Sequence, residues 1–215
     1  MSRWDHPQLA RLIEVMATLR QACPWDAQQT HESLAQYLIE ETAETIEAIE
    51  TGDQDHLREE LGDLLLQVVF HAEIAAERDG GFTIEDIAAG TADKLIARHP
   101  YVFATDETPE DLHFSWEQRK AAEKGRTSVL EGIPHQLSSL ARANKIVSRV
   151  RSRRVTVDLP NDQIAEDDLG RQVLALVARA QASGIDPDQA VRAAVRDLEA
   201  EVRVGEASRN RQSAG

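Results

Sequence analysis

The stretch of sequence that decides the fold lies between Glu32 and Arg78 and reads ESLAQYLIEETAETIEAIETGDQDHLREELGDLLLQVVFHAEIAAER. It carries two acidic motifs, Glu41-Thr-Ala-Glu44 and Glu60-Leu-Gly-Asp63. Residues i and i+3 of a helix lie on one face, so each motif directs two carboxylates the same way. Two such helices side by side would bring four carboxylates together.

Four converging carboxylates repel one another and need a positive partner when they leave water. Hard divalent cations provide that partner, and Mg²⁺ in particular prefers octahedral oxygen ligands and keeps positions for water and substrate phosphates. The sequence contains no GxxxxGK string, so a P-loop is not the expected way of binding phosphate. The two motifs therefore predict a phosphate-handling metal enzyme.

Helical signals surround both motifs and recur along the chain. One helix is predicted from about residue 32 to Thr51, where Gly52 ends it, and the next from Gln54 to about residue 78, after a candidate cap at Asp53. Further helices are predicted from Pro7 to near Ala22, from Thr83 to His99, from Thr108 and from Ser138. Aromatic residues make up 4% of the chain, and a core of Leu, Ile, Val and Ala favours helices. The predicted fold class is all-α.

The formal net charge of -14 argues against a protein that binds duplex nucleic acid, which would need an excess of Lys and Arg. A free nucleoside triphosphate remains compatible, because a metal and a few placed cations would hold it. The single cysteine, Cys23, excludes an intramolecular disulfide and indicates a reducing compartment. The polar start and the lack of a membrane-length apolar run lead us to expect a soluble cytoplasmic protein without a membrane partner.

The C-terminal part differs in character. Basic residues cluster between Arg142 and Arg154, which favours a solvated face over a nucleic-acid site. Residues 151–164 are predicted as a linker, and 165–206 as a degenerate repeat, because Asp167-Asp-Leu-Gly-Arg171 echoes Glu59-Glu-Leu-Gly-Asp63. Arg171 replaces the acid, so this repeat is expected to be structural. Residues 207–215 are predicted as a disordered tail.

Five strings occur in the same order as in a known family: Cys23-Pro-Trp-Asp26, Glu40-Glu-Thr-Ala-Glu44, Glu60-Leu-Gly-Asp63, Arg98-His-Pro-Tyr-Val-Phe103 and Trp116-Glu117. Over roughly residues 8 to 150 the chain resembles the MazG nucleoside triphosphate pyrophosphohydrolases. Residues 1–150 are therefore predicted to form a domain of this type. Several motifs in register make the resemblance far more specific than one carboxylate pair.

The resemblance implies a helical bundle whose catalytic unit is completed by a second subunit, hence a homodimer or a higher homo-oligomer. It implies hydrolysis of nucleoside triphosphates to monophosphate and pyrophosphate with Mg²⁺, which Mn²⁺ could replace. The metal ligands implied by the motifs are Glu41, Glu44, Glu60 and Asp63. Lys94 and Arg98 match basic positions that would meet the phosphates, although ion pairs with Asp93 or Glu85 are an equal alternative. Ala27 stands where relatives often have Lys.

For the reaction, water would attack the α-phosphorus and pyrophosphate would leave. Glu40 and Glu41 are the candidates for accepting the water's proton, because spacing alone does not separate a ligand from a base. Trp25 and Trp116 could each stack on a base or pack at a subunit contact, and packing is favoured for Trp116. No residue set indicates a reader of base edges, so standard, deoxyuridine and oxidised triphosphates all stay open within an expected role in nucleotide-pool house-cleaning.

Two simpler interpretations compete with the metal enzyme. Glu41 and Glu44 could lie on a solvated helix face, since Glu47 and Glu50 continue the acidic run, but the second motif on an apolar helix favours the metal site. A catalytically silent, dimeric all-α protein could instead bind nucleotide or another protein for regulation. The intact set of four carboxylates disfavours that alternative.

Overall fold

The computed structural model describes residues 6–104 and 107–213, and every regular element in these ranges is helical. The all-α prediction is confirmed. In the described ranges the α-helices are α1 (Pro7–Ala22), α2 (Ala35–Thr51), α3 (Gln54–Ala76), α4 (Ile84–Arg98), α5 (Pro100–Phe103), α6 (Leu112–Glu123), α7 (Ser139–Ser152), α8 (Glu166–Ala182) and α9 (Pro187–Ser213). None of them combines the length and apolar character needed to cross a bilayer.

The joint between α2 and α3 forms as local signals predict. Gly52 adopts a left-handed conformation with φ of 73°, which glycine tolerates at a helix end. The Asp53 side chain accepts hydrogen bonds from the backbone N–H groups of Asp55 and His56 and so caps α3. Because two residues connect helices that pack on each other, α2 and α3 form an antiparallel hairpin.

Other helix starts follow their capping residues. Thr83 and Asp86 bond reciprocally at the start of α4, and Ser138 accepts from the Ala141 N–H at the start of α7, as predicted. The helix expected from Thr108 begins later, at Leu112. The reason is that the Asp111 side chain accepts from the Phe114 N–H at 2.8 Å and fixes the first turn there.

The chain divides into two compact units, residues 1–97 and 98–215, whereas the first domain was predicted to end at residue 150. The first unit has its own core under the α2–α3 hairpin, made of Met16, Leu34, Val69, Phe70 and Ile74. The second unit has a separate core, made of Val129, Ile133, Ile146, Val150, Val155, Val195 and Val202. Since α7 supplies Ile146 and Val150 and packs on α9, it belongs with the C-terminal helices.

The segment predicted as a linker, residues 151–164, is anchored instead. Val155 is buried, and Val157 and Leu159 pack against the second core, so apolar residues at every second position contact it. The expected degenerate repeat corresponds to α8 and most of α9. α9 continues through Ser213 where a disordered tail was predicted from residue 207, and residues 214 and 215 lie outside the described residues.

Candidate metal centre

Three carboxylates meet across the α2–α3 hairpin. Glu41 projects from α2, and Glu60 and Asp63 project from successive turns of α3. Each of the three offers one oxygen, and these oxygens all lie within 4.8 Å of one another. The packing of α2 on α3 therefore brings the two acidic motifs together, as their spacing predicts.

Glu60 is the most constrained of these acids, because only 7% of the residue is exposed. Its Oε1 lies 3.0 Å from His56 Nε2, one helical turn earlier. Its Oε2 is buried and has no hydrogen-bond partner among the described residues. A buried carboxylate oxygen left without a donor is costly, and a bound cation would satisfy it. This oxygen shows that the residues present fit a hard divalent metal.

The electrostatics of Glu41 support the same interpretation. Burial raises the pKa of this carboxyl, and the neighbouring charges of Asp63, Glu44, Glu60 and Glu40 raise it further. Each of these effects disfavours a negative charge at Glu41. A divalent cation held by the cluster would reverse the balance, because it favours the ionised form of every ligand.

The fourth predicted ligand and the second predicted base lie at the margin of the cluster. Glu44 is exposed and lies outside the group of mutually close ligand oxygens, although its charge acts on Glu41. Glu40 is also exposed and acts on Glu41 in the same way. Glu47 and Glu50, farther along α2, are exposed to solvent.

The residues predicted to contact substrate have three different environments. Trp25 is half exposed and meets Tyr37 and Phe70 edge-on, with ring centroids 6.0 and 6.4 Å away. Lys94 is exposed on α4. Arg98, in contrast, is 7% exposed, and its Nε lies 2.8 Å from Oε2 of Glu123.

Arg98 has a second partner in the same unit. Its guanidinium lies over the Trp116 ring, 5.1 Å from the centroid, and Trp116 also packs against His99 with a centroid distance of 4.8 Å. These contacts agree with the packing role favoured for Trp116. The contacts with Glu123 and Trp116 keep the Arg98 guanidinium largely out of solvent.

Two histidine features were not predicted from the sequence. His56 could have been found, since it precedes Glu60 by four residues on one helix face. The pair of His31 and His71 could not, because 40 residues separate them. Their rings stack with an interplanar angle of 8°, and the two Nδ1 atoms lie 2.8 Å apart.

The histidine pair should make the first unit sensitive to acid. Burial lowers the pKa of His71, and the charge of His31 lowers it further. Because the folded-state pKa of His71 lies below the unfolded-state value, protonation favours the unfolded chain, so stability present above the unfolded-state pKa is lost as pH falls toward the folded-state pKa. We expect the unfolding temperature to fall between about pH 7.5 and about pH 5.

His71→Gln should flatten that dependence, whereas His113→Gln, at an exposed position, should leave it unchanged. Thermal unfolding followed by circular dichroism at several pH values measures both. An equal pH dependence in the His71→Gln variant and the unaltered protein would contradict this account.

A second expectation concerns Glu41 without metal. The raised pKa of Glu41 stabilises the folded state at acidic pH, and this contribution disappears as pH rises through the folded-state pKa. Glu41→Gln removes the repelled charge, so in EDTA at neutral pH the variant should unfold about 2 °C higher than the unaltered protein. The difference should shrink on acidification.

Adding Mg²⁺ should stabilise the unaltered protein more than Glu41→Gln, and so remove or reverse the difference. Glu47→Gln, which neutralises an exposed acid on the same helix, is the matched control and should behave like the unaltered protein. Lower stability of Glu41→Gln in EDTA would show that the carboxylates do not repel one another as described.

The fold and the cluster together define a class of protein. It is an all-α protein with a group of carboxylates on a helical hairpin that suits a divalent metal. Residues 29–103, which contain this hairpin, match the family model described as the MazG nucleotide pyrophosphohydrolase domain. A relative from Thermotoga maritima, named nucleoside triphosphate pyrophosphohydrolase/pyrophosphatase MazG, is 38% identical over 207 residues, with 86% of this chain and 80% of the relative covered. This chain therefore belongs to the MazG family.

Two further relatives match this chain over different lengths. An uncharacterized 26.1 kDa protein of Streptomyces cacaoi is 44% identical over 203 residues, which cover 93% of this chain and 83% of the relative. A nucleoside triphosphate pyrophosphohydrolase of Escherichia coli (strain K12) is 46% identical over 150 residues, which cover 66% of this chain and 57% of the relative. The chain thus spans little more than half of the E. coli relative but most of the other two.

Proposed function

We propose that this protein hydrolyses nucleoside triphosphates to the monophosphate and pyrophosphate, with Mg²⁺ as cofactor. The observation that carries the proposal is the group of Glu41, Glu60 and Asp63, together with the buried Oε2 of Glu60, which has no hydrogen-bond partner among the described residues. The names of the T. maritima and E. coli relatives support the same reaction. A catalytically silent protein would have no need to retain this costly cluster.

In this proposal Glu41, Glu60 and Asp63 hold the metal, and Glu44 joins them. When bound, a divalent cation withdraws charge from phosphate oxygens, and Mn²⁺ is expected to replace Mg²⁺. The carboxylates of the cluster would hold this cation beside α2, because on their own they repel the substrate's phosphate chain. Because three of them already converge before any ligand binds, little reorganisation is needed.

The chemical step transfers the α-phosphoryl group to water. The water oxygen forms a bond to the α-phosphorus, the bond from that phosphorus to the bridging oxygen breaks, and pyrophosphate leaves with the electron pair. The proton of the water goes to a carboxylate. Since Glu41 belongs to the metal-holding group, we assign this role to the exposed neighbour Glu40, whose charge already acts on the cluster.

Two residues of the first unit are proposed to hold the rest of the substrate. Lys94 would meet the phosphates, because its ammonium group lies on an exposed part of α4. Trp25, with half of its surface exposed, would stack on the base. Arg98 would have to give up Glu123 before it could bind phosphate, so it ranks below Lys94.

We also propose that the protein is a homodimer or a higher homo-oligomer. Large apolar side chains on the α2–α3 hairpin remain exposed within one chain, namely Leu38, Ile39, Ile46, Ile49, Leu61, Leu65 and Val68. Many exposed apolar side chains on one hairpin are typical of an association site, and a twofold dimer is the simplest way to cover them. Sedimentation at micromolar concentration tests this, and a monomer would contradict it.

One assay tests the reaction. The purified full chain is incubated with Mg²⁺ or EDTA and a panel of standard, deoxyuridine and oxidised nucleoside triphosphates, and the products are identified by chromatography. We expect the monophosphate and pyrophosphate from at least one triphosphate, in Mg²⁺ only. A preference for non-standard nucleotides would support the house-cleaning role, whereas no release across the panel would overturn the proposed function.

A further inference from the structure

A cavity of about 520 Å³ in the second unit has an unusually cationic wall. Four arginines line it: Arg126, Arg153, Arg154 and Arg209. The other described residues of the lining are uncharged, and no carboxylate is among them. In a chain with 38 acidic and 24 basic residues, this local excess of positive charge is the reverse of the overall balance.

Three carboxylates close to this wall have partners of their own. Glu131 accepts hydrogen bonds from the Thr127 N–H and hydroxyl and acts electrostatically on Arg126. Glu206 accepts hydrogen bonds from the Ser128 hydroxyl at 2.8 Å and from the Val129 N–H at 2.7 Å. Glu117 lies 3.8 Å from Lys145 and 3.6 Å from Arg149. None of these acids is among the described residues that line the cavity.

A buried cation, Arg149, lies next to two of these arginines. Arg149 is 4% exposed, and its Nε has no hydrogen-bond partner among the described residues. It shares a small enclosed space with Arg126, Arg153 and Glu117, and its Nε lies 3.6 Å from Oε2 of Glu117. Burial lowers the pKa of Arg149, the charges of Arg126 and Arg153 lower it further, and the charge of Glu117 opposes the decrease. Glu117 thus serves as the counter-ion of Arg149, whereas Arg126 and Arg153 also line the larger cavity.

Several contacts fix the arginines in place. The Arg154 guanidinium lies 5.7 Å from the centroid of the Phe114 ring, and its backbone has a φ of 51°, in the left-handed region that non-glycine residues rarely adopt. Arg209 donates to the Arg153 carbonyl at 2.8 Å. The left-handed Arg154 ends α7, because the Val155 N–H donates to the Val150 carbonyl at 3.0 Å and the Arg154 N–H to the Arg151 carbonyl at 3.2 Å. The wall is therefore largely formed before a ligand arrives.

We propose that this cavity binds a phosphate-chain anion, either inorganic pyrophosphate or the polyphosphate chain of a nucleotide. Guanidinium groups donate in a planar fork that matches phosphate oxygens, and several of them suit a small ligand with several negative charges. The volume is within the range of small-ligand sites. This site requires no metal and does not depend on the proposed hydrolysis.

The test is a calorimetric titration of the full chain in EDTA, so that the carboxylate cluster has no metal and cannot hold phosphate. We expect saturable binding of pyrophosphate at one site per chain. Arg126→Gln/Arg154→Gln should weaken it at least about tenfold. Arg171→Gln/Arg192→Gln removes the same two charges from exposed ion pairs on α8 and α9, and should change it less than about twofold.

Comparison ligands identify the source of the phosphate chain. If the protein binds ADP and the double arginine variant binds it more weakly, the site is assigned to nucleotides. If the protein binds pyrophosphate but not ADP, the site is assigned to the inorganic anion. Arg154→Gln alone, at an exposed position, is the second variant if the double substitution impairs folding. Absence of saturable binding in EDTA, equal losses in both double variants, or citrate binding as tightly as pyrophosphate would each overturn the proposal.

Discussion

Asp63→Asn should abolish Mg²⁺-dependent pyrophosphate release, with a loss of about three orders of magnitude. Asp63 shares its ligand group with Glu41 and Glu60, and an amide supplies one neutral oxygen where a carboxylate supplied charge. The variant should also lose the rise in unfolding temperature that Mg²⁺ gives the unaltered protein, because that rise depends on binding to the folded state. A steady-state assay and a thermal scan measure these two effects separately.

Glu50→Gln is the matched control for this experiment. Glu50 lies on the same hairpin and carries the same charge, but its side chain is exposed and lies outside the ligand group. Its activity and its response to Mg²⁺ should match those of the unaltered protein. Full activity in Asp63→Asn, or an equal loss in Glu50→Gln, would show that the cluster is not the metal centre.

Glu199→Ala should destabilise the second unit by about 3 kcal/mol. Glu199 Oε1 accepts from Arg142 Nε at 2.9 Å and from Arg142 Nη2 at 2.6 Å, and little of either side chain is exposed. This pair links α7 to α9. Without Glu199, the charge of Arg142 stays largely buried, and its remaining hydrogen-bond partners among the described residues are the Ile133 and Pro134 carbonyls, which is why the cost is high.

Amide hydrogen exchange in α7 and α9 measures this loss directly, because it reports the stability of the second unit alone. Arg171→Gln breaks an exposed ion pair with Asp168 on α8 and should change the same protection by less than about 0.5 kcal/mol. A comparable effect of the two substitutions would mean that burial does not set the strength of the Arg142–Glu199 pair.

The part of the fold that sequence predicts well is encoded locally. Gly52 ends α2 and Asp53 caps α3 through contacts within a few residues, so the hairpin and the meeting of its two motifs follow from spacing alone. The boundary between the units could not be predicted in this way. It depends on Val150 and Val155 packing with residues near the end of the chain, and such long-range contacts leave no periodic signal.

The same distinction applies to individual site residues. Glu41, Glu60 and Asp63 are recognisable because two local motifs carry them. Spacing does not reveal that Glu44 is exposed, since its position at the margin depends on how α2 is rotated against α3. The partner of Arg98, Glu123, lies 25 residues away, beyond the reach of any motif.

Gly52 and Asp53 have a consequence for how the centre forms. Glu41 and Asp63 are separated by only 22 positions, so one short loop closure brings all the clustered acids together. Contacts of such low sequence separation form fast, on the timescale of helix pairing and not of whole-chain collapse. The acidic cluster can thus assemble as soon as one hairpin folds, and a divalent ion present at that stage would speed up the pairing by removing the repulsion that opposes it.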